Sequence, residues 1–304
     1  MNFAGTLESE NILFKAKPIY SIICNDPKAV GFPKIVVLPI DNYSKLLISY
    51  GVGPKILLVS VNMSKKEEPI IKNYKIEGNL FAISGIVNDS EVRIAYLTEK
   101  GFYSLKNGQI EGFYSNSTLN GLLLLPNSIM VSTTDGKIGI IQDEKLIQTL
   151  LFPSYVSVME LSADYSSIAL GFVDGSVRIL DSISYSVTKE LKFGFGMVKA
   201  IAWGPKSSKL YISGQDDLVY VENTTTLAGH TSFVSSISVI SLPGSQKEFI
   251  LTLAEDSMYT IWDTKEKTTS FILDNTIRCI KSISNVTVIV YPNLDIKVYY
   301  WKKQ

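Results

Sequence analysis

Residues Leu227–Asp263 read LAGHTSFVSSISVISLPGSQKEFILTLAEDSMYTIWD. Inside this stretch the run Ile250-Leu251-Thr252-Leu253 leads into Glu255-Asp256, and a second run rich in aromatic and aliphatic residues follows up to Trp262-Asp263. Two short β-prone runs on either side of a turn signal make a hairpin. The same arrangement recurs along the chain at Gly51-Val52-Gly53, Glu99-Lys100-Gly101, Asp135-Gly136, Asp174-Gly175, Asp216-Asp217 and Pro292-Asn293-Leu294-Asp295. The turn carboxylates Asp135, Asp174, Asp216, Asp256 and Asp295 are 39, 42, 40 and 39 residues apart. In the Asp-Gly turns Gly takes positive φ without a Cβ clash, and the Asp carboxylate accepts backbone N–H groups. A repeat of this length built only from strands predicts a β-propeller with one four-stranded sheet per repeat.

The quoted segment resembles one unit of the WD40-repeat family. His230, Thr252, Asp256 and Trp262 fall where that family places a His–Ser/Thr–Asp–Trp hydrogen-bond network. The resemblance implies a structural role for the four, tying the loop that leads into the blade to its inner hairpin. Repeats four and five keep the turn Asp but lack Gly-His, and His230 is the only histidine in the chain. The other six blades are therefore expected to rely on packing and backbone ladders alone.

The period predicts an all-β chain with a single domain over residues 1–304, a seven-bladed propeller of about forty-three residues per blade. Blade one is expected at Lys34–Lys75, with inner strands Ile35–Leu38, Leu46–Ser49 and Ile56–Val61 and an irregular hairpin. Blade two follows at Ile76–Ser115, three at Asn116–Leu151, four at Phe152–Lys192, five at Phe193–Ala228 and six at Gly229–Asp274. Blade seven starts at Asn275 and supplies only Ile277–Ile283, Val286–Tyr291 and Ile296–Trp301. Residues 1–33, with strand-like runs Asn11–Phe14 and Ile19–Ile23, are left over. They are expected to return and provide the outer strand of blade seven, removing an exposed sheet edge.

Composition limits the function classes. Lys plus Arg and Asp plus Glu are 29 each, which argues against broad phosphate-driven nucleic-acid binding. No apolar stretch is long enough to span a bilayer, and the start MNFAGTLESE has no basic region followed by an apolar core. An intracellular, cytoplasmic protein is expected, with the nucleus left open. Cys24 and Cys279 make no disulfide framework or metal knuckle. The six sequons at Asn42, Asn62, Asn88, Asn116, Asn223 and Asn285 are then expected to stay unmodified.

Catalytic patterns are weak. A triad needs a base, and His230 is already assigned to the blade. Gly51-Val52-Gly53-Pro54-Lys55 lacks the spacer and the Lys-Ser/Thr end of a phosphate loop, and Phe193-Gly194-Phe195-Gly196 lacks the third glycine of a dinucleotide fingerprint. The chain is expected not to be an enzyme and to need no cofactor or metal. Surface recognition remains. The loops leading into blades four, five and six carry Phe152 and Tyr155, then Phe193, Phe195 and Met197, then Phe233. Clustered on one sector, these side chains are candidates for holding a partner's helix or peptide. The expected role is a scaffold within a multiprotein complex, its partners other proteins and neither nucleic acid nor membrane, the propeller monomeric by itself. The alternative is a guanine-nucleotide exchange factor for a small GTPase in vesicle budding. Leu46–Lys55 is faintly similar to the glycine-rich first-blade loop of that propeller group.

Overall fold

The computed structural model describes residues 17–23, 34–41, 43–65, 67–88, 91–106, 109–114, 119–193, 196–204, 209–222, 224, 226–241, 248–256, 258–263, 266–272, 279–291 and 294–301. These hold twenty-eight strands in seven four-stranded antiparallel sheets arranged as a ring. The first described strand is β1 (Lys17–Ile22). Blade one comprises β2 (Lys34–Ile40), β3 (Lys45–Val52), β4 (Lys55–Asn62) and β5 (Ile70–Lys75). Blade two comprises β6 (Leu80–Asn88), β7 (Glu91–Thr98), β8 (Gly101–Lys106) and β9 (Gln109–Tyr114), and blade three β10 (Leu119–Leu124), β11 (Ile129–Thr133), β12 (Lys137–Gln142) and β13 (Lys145–Leu151). Blade four is β14 (Val156–Leu161), β15 (Ser167–Phe172), β16 (Ser176–Asp181) and β17 (Val187–Lys192). Blade five is β18 (Ala200–Trp203), β19 (Leu210–Ser213), β20 (Val219–Val221) and β21 (Thr226–Leu227). Blade six is β22 (Val234–Ser241), β23 (Glu248–Ala254), β24 (Met258–Asp263) and β25 (Glu266–Ile272). Blade seven takes β26 (Cys279–Ile283), β27 (Val286–Val290) and β28 (Ile296–Tyr300) from the end of the chain and β1 from its beginning.

All seven turn signals fall between the second and third strands of a blade. The Asp turns work as their chemistry requires: Asp174, Asp216 and Asp256 accept the N–H of the residue two positions on, Ser176, Leu218 and Met258. Gly136 and Gly175 sit at φ 83° and 80°. A Cβ on Gly175 would meet the carbonyl oxygens of Gly196 and Phe193 at 2.7 and 2.8 Å, so this position needs glycine both for its backbone and for the close loop beside it. Blade one departs from expectation. Its hairpin is regular, with eight pairs from Lys45↔Asn62 to Val52↔Lys55 and no shift, because Gly53 takes φ 58° and closes the turn in two residues with Pro54.

Closure by the chain's beginning is present. β1 pairs antiparallel with β28 from Lys17↔Tyr300 to Ile22↔Ile296. Ile22 is buried in the wedge between blades seven and one, and the Tyr20 hydroxyl donates to the carbonyls of Asn62 and Lys65 at 2.6 and 3.0 Å. The run Asn11–Phe14 lies outside the described residues.

Buried apolar side chains form seven clusters, and each fills the wedge between two neighbouring blades. Apolar burial on both faces of every sheet explains why the inner strands read as near-continuous aliphatic runs. Packing and ladders are not the whole of it, which corrects the expectation from the missing tetrads. Every interface between blades also carries a hydrogen bond from a buried or part-buried side chain. Going round from blades one and two, these are Ser49 with Tyr96, the Leu124 N–H to Ser84, and Asn120 to the Val156 carbonyl. Ser157 to Val198, Ser213 to Val234, Ser236 to Ile280 and Tyr50 to Leu294 complete the ring, each hydroxyl donating to a carbonyl. Several of these residues lie at or beside a register shift that recurs at the start of β6, β10, β14 and β22. Such a bulge frees one residue from the ladder and turns it toward the next blade.

Candidate functional site

Antiparallel order puts the Asp turns and the loops leading into each blade at one end of the ring. The first-to-second and third-to-fourth turns lie at the other.

In blade six the four residues expected to interact form one directed chain. The Trp262 indole N–H donates to Thr252 Oγ1 at 2.8 Å, and Thr252 Oγ1 lies 2.7 Å from His230 Nε2. His230 Nδ1 is 3.1 Å from Asp256 Oδ2. Since an ionised carboxylate only accepts, Nδ1 carries the proton toward Asp256 and Nε2 receives the Thr252 hydroxyl. Asp256 also accepts the N–H groups of Thr231 and Met258. Burial opposes its ionisation, but these two N–H groups and the His230 ring outweigh it and hold the carboxyl below its ordinary range. With His230, Thr252 and Trp262 buried and mutually bonded, the geometry ties the loop at Gly229-His230 to the hairpin beneath it. No reacting group of a substrate can reach the imidazole from solvent.

The structure also shows a residue that the tetrad pattern did not single out. Trp301 follows Asp295 by the same six residues that separate Trp262 from Asp256. Its indole donates to Thr287 Oγ1 at 2.8 Å in blade seven, and Ser282 Oγ lies 2.9 Å from the same hydroxyl. The spacing from the turn Asp was the available signal.

The aromatic candidates on the loops divide into two kinds. Phe152 packs on Phe172 at 5.2 Å between ring centroids, with the Arg178 guanidinium over both rings. Phe193 packs on Tyr220 at 5.0 Å. Their N–H groups bond the carbonyls of Gly136 and Gly175 in the preceding turns, so both rings serve the joint between blades. Tyr155 is 40% exposed, Met197 is half-buried, and Phe233 lies under the Lys199 ammonium, 4.9 Å from the ring centroid. These three stand at the same end on blades four to six. Phe195 lies outside the described residues, as does Cys24. Burial pushes the Cys279 thiol up to about 11, which keeps it protonated.

The inner strands enclose a central channel of about 510 Å³. Among the described residues two contacts cross it between blades that are not neighbours. Lys281 on β26 donates to Glu160 on β14 at 2.7 Å, and the Tyr165 hydroxyl donates to the Val87 carbonyl at 3.0 Å. Neither had a sequence signal, since Glu160 and Lys281 are 121 residues apart. Burial favours the neutral amine of Lys281, but the adjoining Glu160 carboxylate outweighs it and raises its pKa above the ordinary lysine value. Among the described residues no group of three or more His, Cys, Asp or Glu is placed to hold a metal ion, and no helix is long and apolar enough to cross a membrane.

Compared with models of known protein families, the sequence matches none.

Proposed function

We propose that this chain is a non-catalytic, protein-binding propeller of the WD40 kind, working as a subunit of a multiprotein complex in the cytoplasm. The observation that carries the reading is the state of His230. The chain's single imidazole is committed to a buried network that fixes a loop, which supports surface recognition over histidine-based catalysis. The partner surface is the end bearing Tyr155, Met197 and Phe233, where a half-exposed aromatic group and a lysine-capped ring offer apolar area with a polar rim. The exchange-factor alternative rests on Leu46–Lys55. That hairpin closes at Val52↔Lys55 and projects no loop, so this reading gains no support from it.

Affinity capture of the tagged protein from its own cells, with a Tyr155→Asp/Phe233→Asp variant in parallel, tests the proposal. A partner set held by the parent and lost by the folded variant supports it. Equal capture by both versions rejects this surface. GTPase nucleotide release accelerated by the pure protein would favour the alternative.

A further inference from the structure

The Glu160–Lys281 pair has hydrogen-bonding capacity to spare. Lys281 Nζ carries three donors and Glu160 two acceptor oxygens, yet a single bond between Nζ and Oε1 joins them. Among the described residues Glu160 Oε2 accepts no hydrogen bond and the Lys281 ammonium finds no second acceptor. Both side chains are part-buried, Lys281 34% and Glu160 29% accessible. The remaining valences therefore open onto the cavity.

That cavity has the volume of a small-molecule site. Pockets for such ligands span roughly 300–1,000 Å³ and combine apolar walls with a few placed polar groups. Here about 510 Å³ is lined by both apolar and polar residues, Ile83, Met159 and Ile283 beside Ser84, Ser162 and Ser282, with the ion pair facing in from opposite blades.

We propose that the channel binds an α-amino acid in its zwitterionic form, the ligand carboxylate on Lys281 and its ammonium on Glu160. The choice follows from charge order. A simple anion brought to Lys281 would also approach Glu160, and a simple cation brought to Glu160 would meet Lys281, so each pairs one contact with one repulsion. A zwitterion places its two charges against the opposite member of the pair, and the four charges then alternate in sign around a ring. The protein pair stays bonded and is already oriented, so binding requires little reorganisation. The proposal is independent of which protein the outer surface holds.

Isothermal titration with L-leucine tests it, using N-acetyl-L-leucine, which lacks the ammonium, and L-leucine methyl ester, which lacks the carboxylate, as comparisons. The expected result is saturable binding of leucine, with each blocked analogue about tenfold or more weaker through loss of a charge-assisted contact. Binding should disappear in the Glu160→Gln/Lys281→Gln variant, which keeps a neutral hydrogen-bonded pair and whose circular dichroism should match the parent. Silence from leucine, methionine and phenylalanine at tens of millimolar would overturn the proposal. Equal affinity for the blocked analogues, or unchanged binding in the double variant, would do the same.

Discussion

Replacing Thr252 by Val removes one hydroxyl from the centre of blade six while keeping nearly the same volume. In the parent, Thr252 Oγ1 is 2.8 Å from the Trp262 indole nitrogen and 2.7 Å from His230 Nε2. The side chain is fully buried, so no water is at hand to replace it. Thr252→Val thus leaves a buried donor and a buried acceptor unpaired, at about 1–3 kcal/mol each, or about 2–6 kcal/mol together. With a urea slope of about 3 kcal/mol per molar, the midpoint should fall by about 0.7–2 M. Trp262→Phe removes the orphaned donor, so in the double variant the penalties should add to less than their sum, with a coupling of about 1–3 kcal/mol. Urea unfolding followed by both circular dichroism and tryptophan fluorescence measures this, provided the two transitions coincide. A loss below about 0.5 kcal/mol for Thr252→Val, the range of an inconsequential surface change, would refute the idea that this network holds the blade.

Ring closure makes its own demand: Ile22→Ala should destabilise by about 2–5 kcal/mol through loss of a buried contact between blades seven and one. Removal of residues 1–23 should lower the melting temperature clearly, and an unchanged melt would disprove closure by β1. Gly175→Ala should cost about 1–2 kcal/mol from the left-handed backbone alone, with further loss from the carbonyls at 2.7 and 2.8 Å, measured by the same urea titration. Acid should weaken the protein at its turns. The Asp135 carboxyl is drawn from 3.8 to about 2 by the Lys137 ammonium and the Thr133 hydroxyl. Asp256 is also lowered, by N–H donors that outweigh its burial. A depressed folded-state pKa gives stability that is present above the ordinary value and lost as pH falls through the folded one, so thermal stability should decline between about pH 4 and pH 2. The Asp256→Asn variant should show a shallower decline, and an identical slope would contradict the assignment.

Much of the architecture was legible because a propeller writes its period into local chemistry. Asp174-Gly175 and Asp135-Gly136 mark hairpins by residue type alone, and the unmatched third strand of blade seven called for a partner from the chain's beginning. The tetrad was legible only through the resemblance of Leu227–Asp263 to a WD40 unit, which implies a structural role for His230, Thr252, Asp256 and Trp262. Contacts between blades were hidden, because Ser157, Ser213 and Ser236 are ordinary strand residues until the fold brings the next blade's carbonyl to them. The blade-one hairpin, expected to be irregular, is regular because Gly53 and Pro54 close it in two residues. Phe152 and Phe193 looked like surface groups in sequence. In the ring their rings meet Phe172 and Tyr220, residues of their own or the next blade that no local pattern links to them. The Glu160–Lys281 pair depends wholly on three-dimensional closure.

The central claim, that this ring holds a partner protein at the loop end of blades four to six, is tested most directly by photocrosslinking in the native cells. A benzoylphenylalanine would replace Tyr155 in one version and Ile147, exposed on the outer strand of blade three, in another. The account predicts a discrete crosslinked protein from position 155 and none of that identity from position 147. A partner captured only from position 147, or no crosslink at 155 while the intact complex is recovered from the same cells, would contradict it.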